Sequence, residues 1–227
     1  MNISVGKCNL SISKTIMNNK NTIIRLECEK DYRTVENLTR EAFWNVYQPG
    51  CTEHYVLHCY RSNPDFIPEL DFVMETEGII MGHVMFSKAE ILSDDGRVIP
   101  ILTFGPISIA PAYKRQGYGI RLLKHALEKA QEMGFGAVFV EGNIDFYKHA
   151  GFVTASGLGI HYHAEPREST VPYFLGLELQ KGYLKGIEGT YYTPRGYYVA
   201  FQDPYGFEKY DSGFPVKDIL VLPGQLP

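Results

Sequence analysis

The chain has 227 residues, of which 44% are hydrophobic and 21% are charged, and its formal net charge is −4. This composition is typical of a globular protein and excludes a disordered or collagen-like chain. The small acidic excess gives no general attraction to nucleic acid or anionic membranes, so we expect neither partner. No apolar run reaches the roughly 20 residues of a membrane-spanning helix, and the polar N-terminus lacks the apolar core of a secretory signal. We therefore expect a cytoplasmic protein.

The cysteines lie in the first quarter of the chain: Cys8, Cys28, Cys51 and Cys59. In a cytoplasmic protein reduced thiols are the expected state. His54 and His58 stand near the last two cysteines, but the resulting CxxH…HC spacing is not one that zinc sites use. No second pair of ligands follows, so the sequence predicts no metal site.

The apolar pattern predicts an α/β protein in which a mixed sheet is flanked by helices. In chain order the elements are a strand at 22–27, helices at 31–46 and 53–61, strands at 70–75, 79–92 and 98–110, a helix at 119–133, a strand at 137–141, one helical turn at 145–149, and strands from 152 onward and at 173–179. Residues 1–21 lack a sustained period and are predicted to be an N-terminal extension.

A buried strand, a basic turn and a glycine-rich helix start follow one another in the middle of the chain. The apolar run at 98–110 is typical of a strand buried on both faces. The turn after it carries Lys114 and Arg115, and Gly117 and Gly119 open the next helix. Helix N-termini offer free N–H groups and a positive dipole end, and glycine allows close approach of a ligand. This arrangement predicts a site for a phosphate-bearing cofactor.

Two common phosphate motifs do not match this turn. The segment GYGIRL lacks the third glycine of the dinucleotide fingerprint, and an acidic ribose ligand is missing at the expected spacing. The P-loop pattern GxxxxGK(S/T) is absent as well. A nucleotide-binding protein is therefore disfavoured.

Two ordered segments resemble blocks of the GNAT superfamily of N-acetyltransferases. PAYKRQGYG resembles the acyl-CoA loop, a Gln or Arg followed by xxGxG or xxGxA, and EGNIDFYKHAGF resembles a later block in which a tyrosine precedes Gly-Phe. The resemblance covers about residues 22–180, and TREAFWN, DFIPELDFV and GHVMFS are similar to segments of a bacterial group of predicted acetyltransferases. It implies the GNAT fold and direct acetyl transfer from acetyl-CoA to a primary amine, on either a small molecule or a peptide N-terminus or lysine. The alternative is a non-catalytic acyl-CoA-binding or sensor protein on the same fold.

The resemblance also implies which residues bind the cofactor. Backbone groups of strand residues 107–109 would pair with the pantetheine arm, and amides at 115–120 would hold the pyrophosphate. Lys114 occupies the first position of the loop motif, where it keeps the charge but loses the planar fork of arginine. The predicted cofactor-binding residues are Ile107, Ser108, Ile109, Lys114, Arg115, Gln116, Gly117, Tyr118, Gly119, Ile120, Asn143 and Tyr147.

Proton transfer needs a donor and an acceptor in this reaction. The resemblance aligns Tyr147 with the tyrosine that protonates the departing thiolate, and a phenol with a pKa near 10 can donate to it. Aromatic packing beside Phe146 is the alternative interpretation. Glu141, at the end of a short strand, is the predicted general base. Glu75, His83 and a water relay without a single base are the alternatives.

In GNAT folds the first helix and the loop after it form a wall of the acceptor pocket. Phe43, Trp44 and Tyr47 lie at helical spacing there, and Glu53 follows. Aromatic rings with a carboxylate would suit a cationic amine, although core packing is the alternative interpretation. The predicted acceptor-binding residues are Phe43, Trp44, Glu53 and His83.

The last 47 residues, 181–227, contain seven of the sixteen tyrosines. Such a segment is too aromatic for a typical disordered tail. We predict an acetyltransferase domain over 22–180 and a C-terminal extension that packs on it. The extension would cover the acceptor cleft or form a dimer surface, in a monomer or a homodimer.

Overall fold

The computed structural model describes residues 22–225; Cys8 and the predicted extension at 1–21 lie outside this range. Within it the chain forms one mixed sheet of nine strands with helices on both faces. The predicted α/β class is therefore confirmed. None of the helices in this range is long and apolar enough to span a membrane.

The strands are β1 (Thr22–Leu26), β2 (Phe72–Thr76), β3 (Ile79–Ser93), β4 (Val98–Ile109), β5 (Ala137–Glu141), β6 (Val153–Thr154), β7 (Ile160–Tyr162), β8 (Phe174–Glu178) and β9 (Gly189–Tyr191). The α-helices are α1 (Tyr32–Phe43), α2 (Glu53–Tyr60), α3 (Tyr118–Glu132), α4 (Ile144–Tyr147), α5 (Val199–Gln202) and α6 (Pro204–Asp211). Short 3-10 turns connect several of them.

The sheet opens between its two central strands. Its order is β1-β2-β3-β4-β5-β8-β6, and β9 pairs with both β3 and β7. The parallel strands β4 and β5 are in register at two positions, Leu102 with Val138 and Thr103 with Phe139. Beyond Thr103 both strands continue without a further pair to each other in the described chain. The strands thus part and leave a gap, which we call the β4–β5 gap.

The two faces of the sheet pack against different elements. One face packs on α3 through a core that includes Leu122, Val138 and Val140. Side chains alternate along a strand, so Phe139 lies on the opposite face, where it joins a core with β9 and β7. Val73 of β2 also points to that opposite face and packs on α1 and α2. The β4–β5 gap is therefore flanked by α3 on one face and by α1, α2 and the end of the chain on the other.

The first helix ends three residues before the apolar period predicted. It ends at Phe43, because Trp44 leaves the helical conformation with a ψ of 120° and Asn45 has a φ of 58°. Asn45 also accepts the amide of Gly50 through its side chain, at 2.8 Å. This closed turn leaves Val46 exposed instead of on the buried face of the helix.

Residues 181–225, which we call the C-terminal segment, form part of the sheet. β9 pairs with β3, and Tyr191 is only 1% exposed. The Tyr191 ring lies 4.9 Å from Phe174, centroid to centroid. Further along, Phe207 and Tyr210 of α6 pack on Tyr55 of α2, with ring centroids 5.7 and 5.1 Å apart. The sequence analysis missed β9, α5 and α6. The three residues of β9 and the four of α5 are too few to show a period, and the eight residues of α6 span only about two turns.

Candidate active site

The turn between β4 and α3 presents free backbone amides. Gly117 precedes α3 with a φ of 86°, and Arg115 has a φ of 60°, so the chain bends sharply into the helix. The first amides of α3 have no intrahelical acceptor. The side chains of Arg115 and Gln116 are exposed beside them. A 15-residue helix and the Arg115 guanidinium, which forms no ion pair with a residue of 22–225, thus offer the elements of an anion site.

Two other residues of this turn make contacts that the sequence did not predict. A Cβ atom on Gly119 would lie 3.3 Å from the Phe146 ring, so glycine allows α3 to pack closely on α4. The ammonium of Lys114 donates to the carbonyl of Ala42 at 2.6 Å. Burial, and then Arg115, lower the pKa of Lys114. Lys114 therefore ties the turn to the end of α1, and its charge is already engaged within the protein.

Tyr147 lies beside the β4–β5 gap on the face that carries α3. Its ring is 8% exposed and packs edge-on against Phe104, with centroids 5.7 Å apart. A Cβ atom on Gly142 would lie 2.3 Å from this ring, so the chain after β5 can approach only as glycine. Burial raises the pKa of Tyr147 well above the usual 10. The phenol is thus kept protonated, as a proton donor requires.

Asn143 and Ser108 use their side chains within the protein. The Asn143 carboxamide oxygen accepts the amide of Asp145 at 2.8 Å and caps α4. The Ser108 hydroxyl donates to Thr39 of α1 at 3.0 Å and is buried. Only the backbone of Ser108 is therefore available to a ligand in the gap.

Glu141 ends β5 on the face opposite Tyr147, because it follows Val140, which faces α3. Its side chain is exposed, and its two oxygens accept hydrogen bonds from the Tyr162 phenol at 3.0 Å and the Thr193 hydroxyl at 2.6 Å. No lysine, arginine or histidine of residues 22–225 forms an ion pair with it. The carboxylate is oriented but not neutralised.

The alternative bases are engaged elsewhere. Glu75 accepts two hydrogen bonds from Arg25, at 3.0 and 2.7 Å. His83 is fully buried, and its Nε2 lies 2.7 Å from Asp71. Burial lowers the pKa of His83 to about 4. His83 is thus a core histidine in this structure, and its role in acceptor binding stays a prediction.

Glu27 lies beside Asp71 and His83, and one possible metal-ligand atom from each of the three lies within 4.8 Å of the other two. Arg61 donates two hydrogen bonds to Glu27, at 2.8 and 3.1 Å, so a cation already occupies one side of the group. Burial raises the pKa of Glu27 to about 7 and that of Asp71 to about 6. The group is thus a buried cluster of two carboxyls, a histidine and a guanidinium, brought together by the fold.

The predicted acceptor wall lies between α1 and α2. The rings of Phe43 and Tyr47 are 6.0 Å apart, and both are partly accessible. Glu53 accepts the amide of Thr52 at 2.9 Å, and burial raises the pKa of Glu53. Trp44 instead donates its indole N–H to the carbonyl of Asp218 at 2.9 Å. Trp44 therefore binds the C-terminal segment.

Comparison with known proteins identifies the family. The model of the acetyltransferase (GNAT) family matches residues 36–152, which is more than half of the chain. This chain belongs to the GNAT family. The family resemblance inferred from the loop and the later tyrosine block is thus confirmed.

One relative and two solved structures are similar to this chain. It is 32% identical over 91 residues to the uncharacterized N-acetyltransferase YjhQ of Escherichia coli K12, a match that covers 40% of this chain and 49% of YjhQ. The chain thus spans about half the length of that relative. The fold matches GNAT protein YhbS of Escherichia coli in complex with CoA, with a TM-score of 0.66, 21% identity and coverage of 78% of this chain and 92% of YhbS. It also matches a GNAT acetyltransferase of Brucella melitensis in complex with acetyl-CoA, with a TM-score of 0.61, 21% identity and coverage of 78% and 97%.

A buried ion-pair network joins the GNAT core to α6. Arg40 of α1 donates two hydrogen bonds to Asp211, at 2.7 and 3.1 Å, and is 3% exposed. His54 of α2 is fully buried, with its Nε2 2.8 Å from the same carboxylate. Since an ionised carboxylate only accepts, Nε2 carries the proton, and Nδ1 can accept from the Cys51 thiol at 3.5 Å. The sequence analysis missed Arg40 and Asp211, which are 171 residues apart.

Acid is expected to loosen α6. Burial lowers the pKa of His54 to about 4, against about 6.5 for an unfolded histidine. Between pH 6.5 and pH 4, His54 is protonated in the unfolded chain but not in the folded protein. The free energy of unfolding therefore falls as the pH falls from 6.5 to 4. Burial opposes the ionisation of Asp211, but Arg40 and His54 outweigh it and lower its pKa, which acts in the same direction. Protection factors of the α6 amides, from which the pH dependence of intrinsic exchange has been divided out, should be lower at pH 5 than at pH 7, and equal protection factors would contradict this.

Proposed function

We propose that this GNAT protein transfers an acetyl group from acetyl-CoA to a primary amine. The observation that carries the proposal is the β4–β5 gap. The amide-rich turn follows the C-terminal end of β4, and Glu141 and Tyr147 lie at and after the C-terminal end of β5. The CoA complex of YhbS and the acetyl-CoA complex of the Brucella protein, on the same fold, support acetyl-CoA as the co-substrate.

The chain offers a binding surface for coenzyme A. The first amides of α3 would receive the pyrophosphate, and Arg115 adds an uncommitted positive charge. Residues 107–109 pair with β3 on one side, and the gap lies on the other. The pantetheine amides would hydrogen-bond to this backbone, so that the thioester lies near Tyr147.

In the proposed reaction Glu141 accepts a proton on one face of the sheet and Tyr147 donates one on the other. An acceptor ammonium gives one proton to Glu141, and the neutral nitrogen attacks the thioester carbonyl carbon to form the C–N bond. The C–S bond breaks as the Tyr147 phenol protonates the thiolate, and the extra proton on the new amide nitrogen returns to the phenolate. The products are the amide and coenzyme A, and Glu141 afterwards releases its proton to water.

Reversal of the loop charge is expected to weaken coenzyme A binding. Arg115→Glu should raise the Kd by at least about tenfold, or about 1.4 kcal/mol, because like charge opposes the pyrophosphate. The melting temperature without ligand should stay within about 1 °C, since the side chain is exposed. Calorimetric titration with coenzyme A measures the first effect and thermal unfolding the second.

Lys209→Glu, an exposed charge reversal on α6, is the matched control and should leave the Kd unchanged. An Arg115→Glu protein that binds coenzyme A as tightly as the parent would contradict the assignment of this turn. Coenzyme A binding without thiol release across a panel of primary amines would favour the non-catalytic alternative.

A further inference from the structure

The two hydroxyls that bind Glu141 come from separate parts of the chain. Tyr162 ends β7, and Thr193 follows β9 in the C-terminal segment. They meet because β7 and β9 are parallel partners, with Tyr162 opposite Tyr191. Pairing of β9 with β3 in turn holds both strands on the sheet. The C-terminal segment therefore supplies one of the two donors to the exposed carboxylate.

The hydrogen bonds fix the carboxylate without neutralising it. Tyr162 donates to one oxygen and Thr193 to the other, and their hydroxyl oxygens lie 3.1 Å apart. Each hydroxyl has one hydrogen, so both are used on Glu141. A carboxylate has about four lone-pair sites, which leaves about two for a ligand. Since Glu141 is exposed, these sites are open to an incoming donor.

Tyr162 links this carboxylate to a further tyrosine ring. Tyr162 packs edge-on against Tyr173, with ring centroids 5.8 Å apart, and Tyr173 is 41% exposed. Burial, and then the charge of Glu141, raise the pKa of Tyr162. Burial, then the hydrogen bond to Glu165, and last the charge of Glu141 raise the pKa of Tyr173. Tyrosine faces beside an unpaired carboxylate form a surface that binds ammonium groups.

We propose that Tyr162 and Thr193 are positioning residues that hold Glu141 toward the acceptor, and that the acceptor arrives as a cationic amine. This inference rests on the proposed acetyl transfer and names its substrate class. Glu141 contacts the amine, whereas the two hydroxyls act through Glu141. The acceptor site is then incomplete without the C-terminal segment, because Thr193 belongs to it.

Steady-state kinetics and direct binding test the proposal. The acceptors are butylamine, 1,4-diaminobutane and lysine amide, each varied at saturating acetyl-CoA. Thr193→Val and Tyr162→Phe should each lower kcat/KM for the amine at least about tenfold and leave the Kd of coenzyme A within about twofold. Thr193→Ser, which keeps the donor, should retain kcat/KM within about threefold. Calorimetric titration with 1,4-diaminobutane should show the same order of affinities.

Tyr183→Phe is the matched control, because the Tyr183 phenol donates to Pro100 at 2.6 Å, away from Glu141. It should leave both measurements unchanged. Equal kcat/KM and equal diamine affinity in Thr193→Val and the parent would overturn the positioning role, as would a parent that binds none of the three amines. If the parent binds the diamine, Thr193→Val weakens that binding and neither protein transfers acetyl groups, the cationic site stands and acetyl transfer fails.

Discussion

Asp211→Ala is expected to lower the free energy of unfolding by about 3–5 kcal/mol. The change removes the carboxylate that accepts two hydrogen bonds from Arg40 and one from His54. Arg40 is 3% exposed, so its guanidinium would remain buried without its counter-charge. Urea unfolding followed by circular dichroism measures the loss, with Asp218→Ala as the matched control. Asp218 has an exposed side chain and contributes its backbone carbonyl, so its loss should cost less than about 0.5 kcal/mol.

A second variant separates the charge from the packing. Removal of both partners, in Arg40→Met with Asp211→Leu, should recover part of the lost stability, because no buried charge is left unpaired. A double variant that is less stable than Asp211→Ala would indicate that Arg40 stabilises the fold mainly through other contacts. Those contacts exist: the guanidinium lies 4.0 Å from the centre of the Trp44 ring and donates to Pro215.

The network also bears on the acceptor side of the protein. Arg40 lies in α1 and His54 is the second residue of α2, next to Glu53, so Asp211 binds both helices that flank the wall that the sequence assigned to the acceptor. In Asp211→Ala we expect faster hydrogen exchange in residues 44–53 as well as in α6. Protection that changes in α6 alone would separate the two regions.

Local patterns predicted the central strands well. The unbroken apolar run of β4 and the amphipathic face of α3 are repeated over twelve and fifteen residues, so the predicted bounds differ from the observed ones by one residue. The turn between them was predictable too, because Gly117 is needed at a φ of 86°. Long helices and strands, and glycines at positive φ, can therefore be predicted from the local sequence alone.

Contacts that close over long distances in the chain could not be predicted in this way. Thr193 and Tyr162 reach Glu141 through β9 and β7, three-residue strands with no detectable period. For Lys114 the sequence predicted the position in the loop motif, but not the group to which its ammonium donates a hydrogen bond. The carbonyl of Ala42 is 72 residues away, and it engages the ammonium that the motif suggested for phosphate.

Tyr147→Phe is expected to lower kcat about 100-fold with acetyl-CoA and to change KM for either substrate less than about threefold. The ring remains, so the packing against Phe104 and Phe152, with centroids 5.7 and 5.6 Å away, is retained. What is lost is a phenol that burial keeps protonated until the thiolate forms. Steady-state kinetics measure kcat, and an unchanged melting temperature shows that the variant is folded.

The leaving group gives the sharper test of this role. An acetyl thioester of an aromatic thiol leaves as a weakly basic thiolate, which gains little from a proton donor. The ratio of the parent rate to the Tyr147→Phe rate should therefore shrink toward one with this donor and remain large with acetyl-CoA. A ratio that is equally large for both donors would show that the hydroxyl orders the site without giving a proton. A kcat equal to that of the parent with acetyl-CoA would assign Tyr147 to packing alone, beside Phe104 in the core.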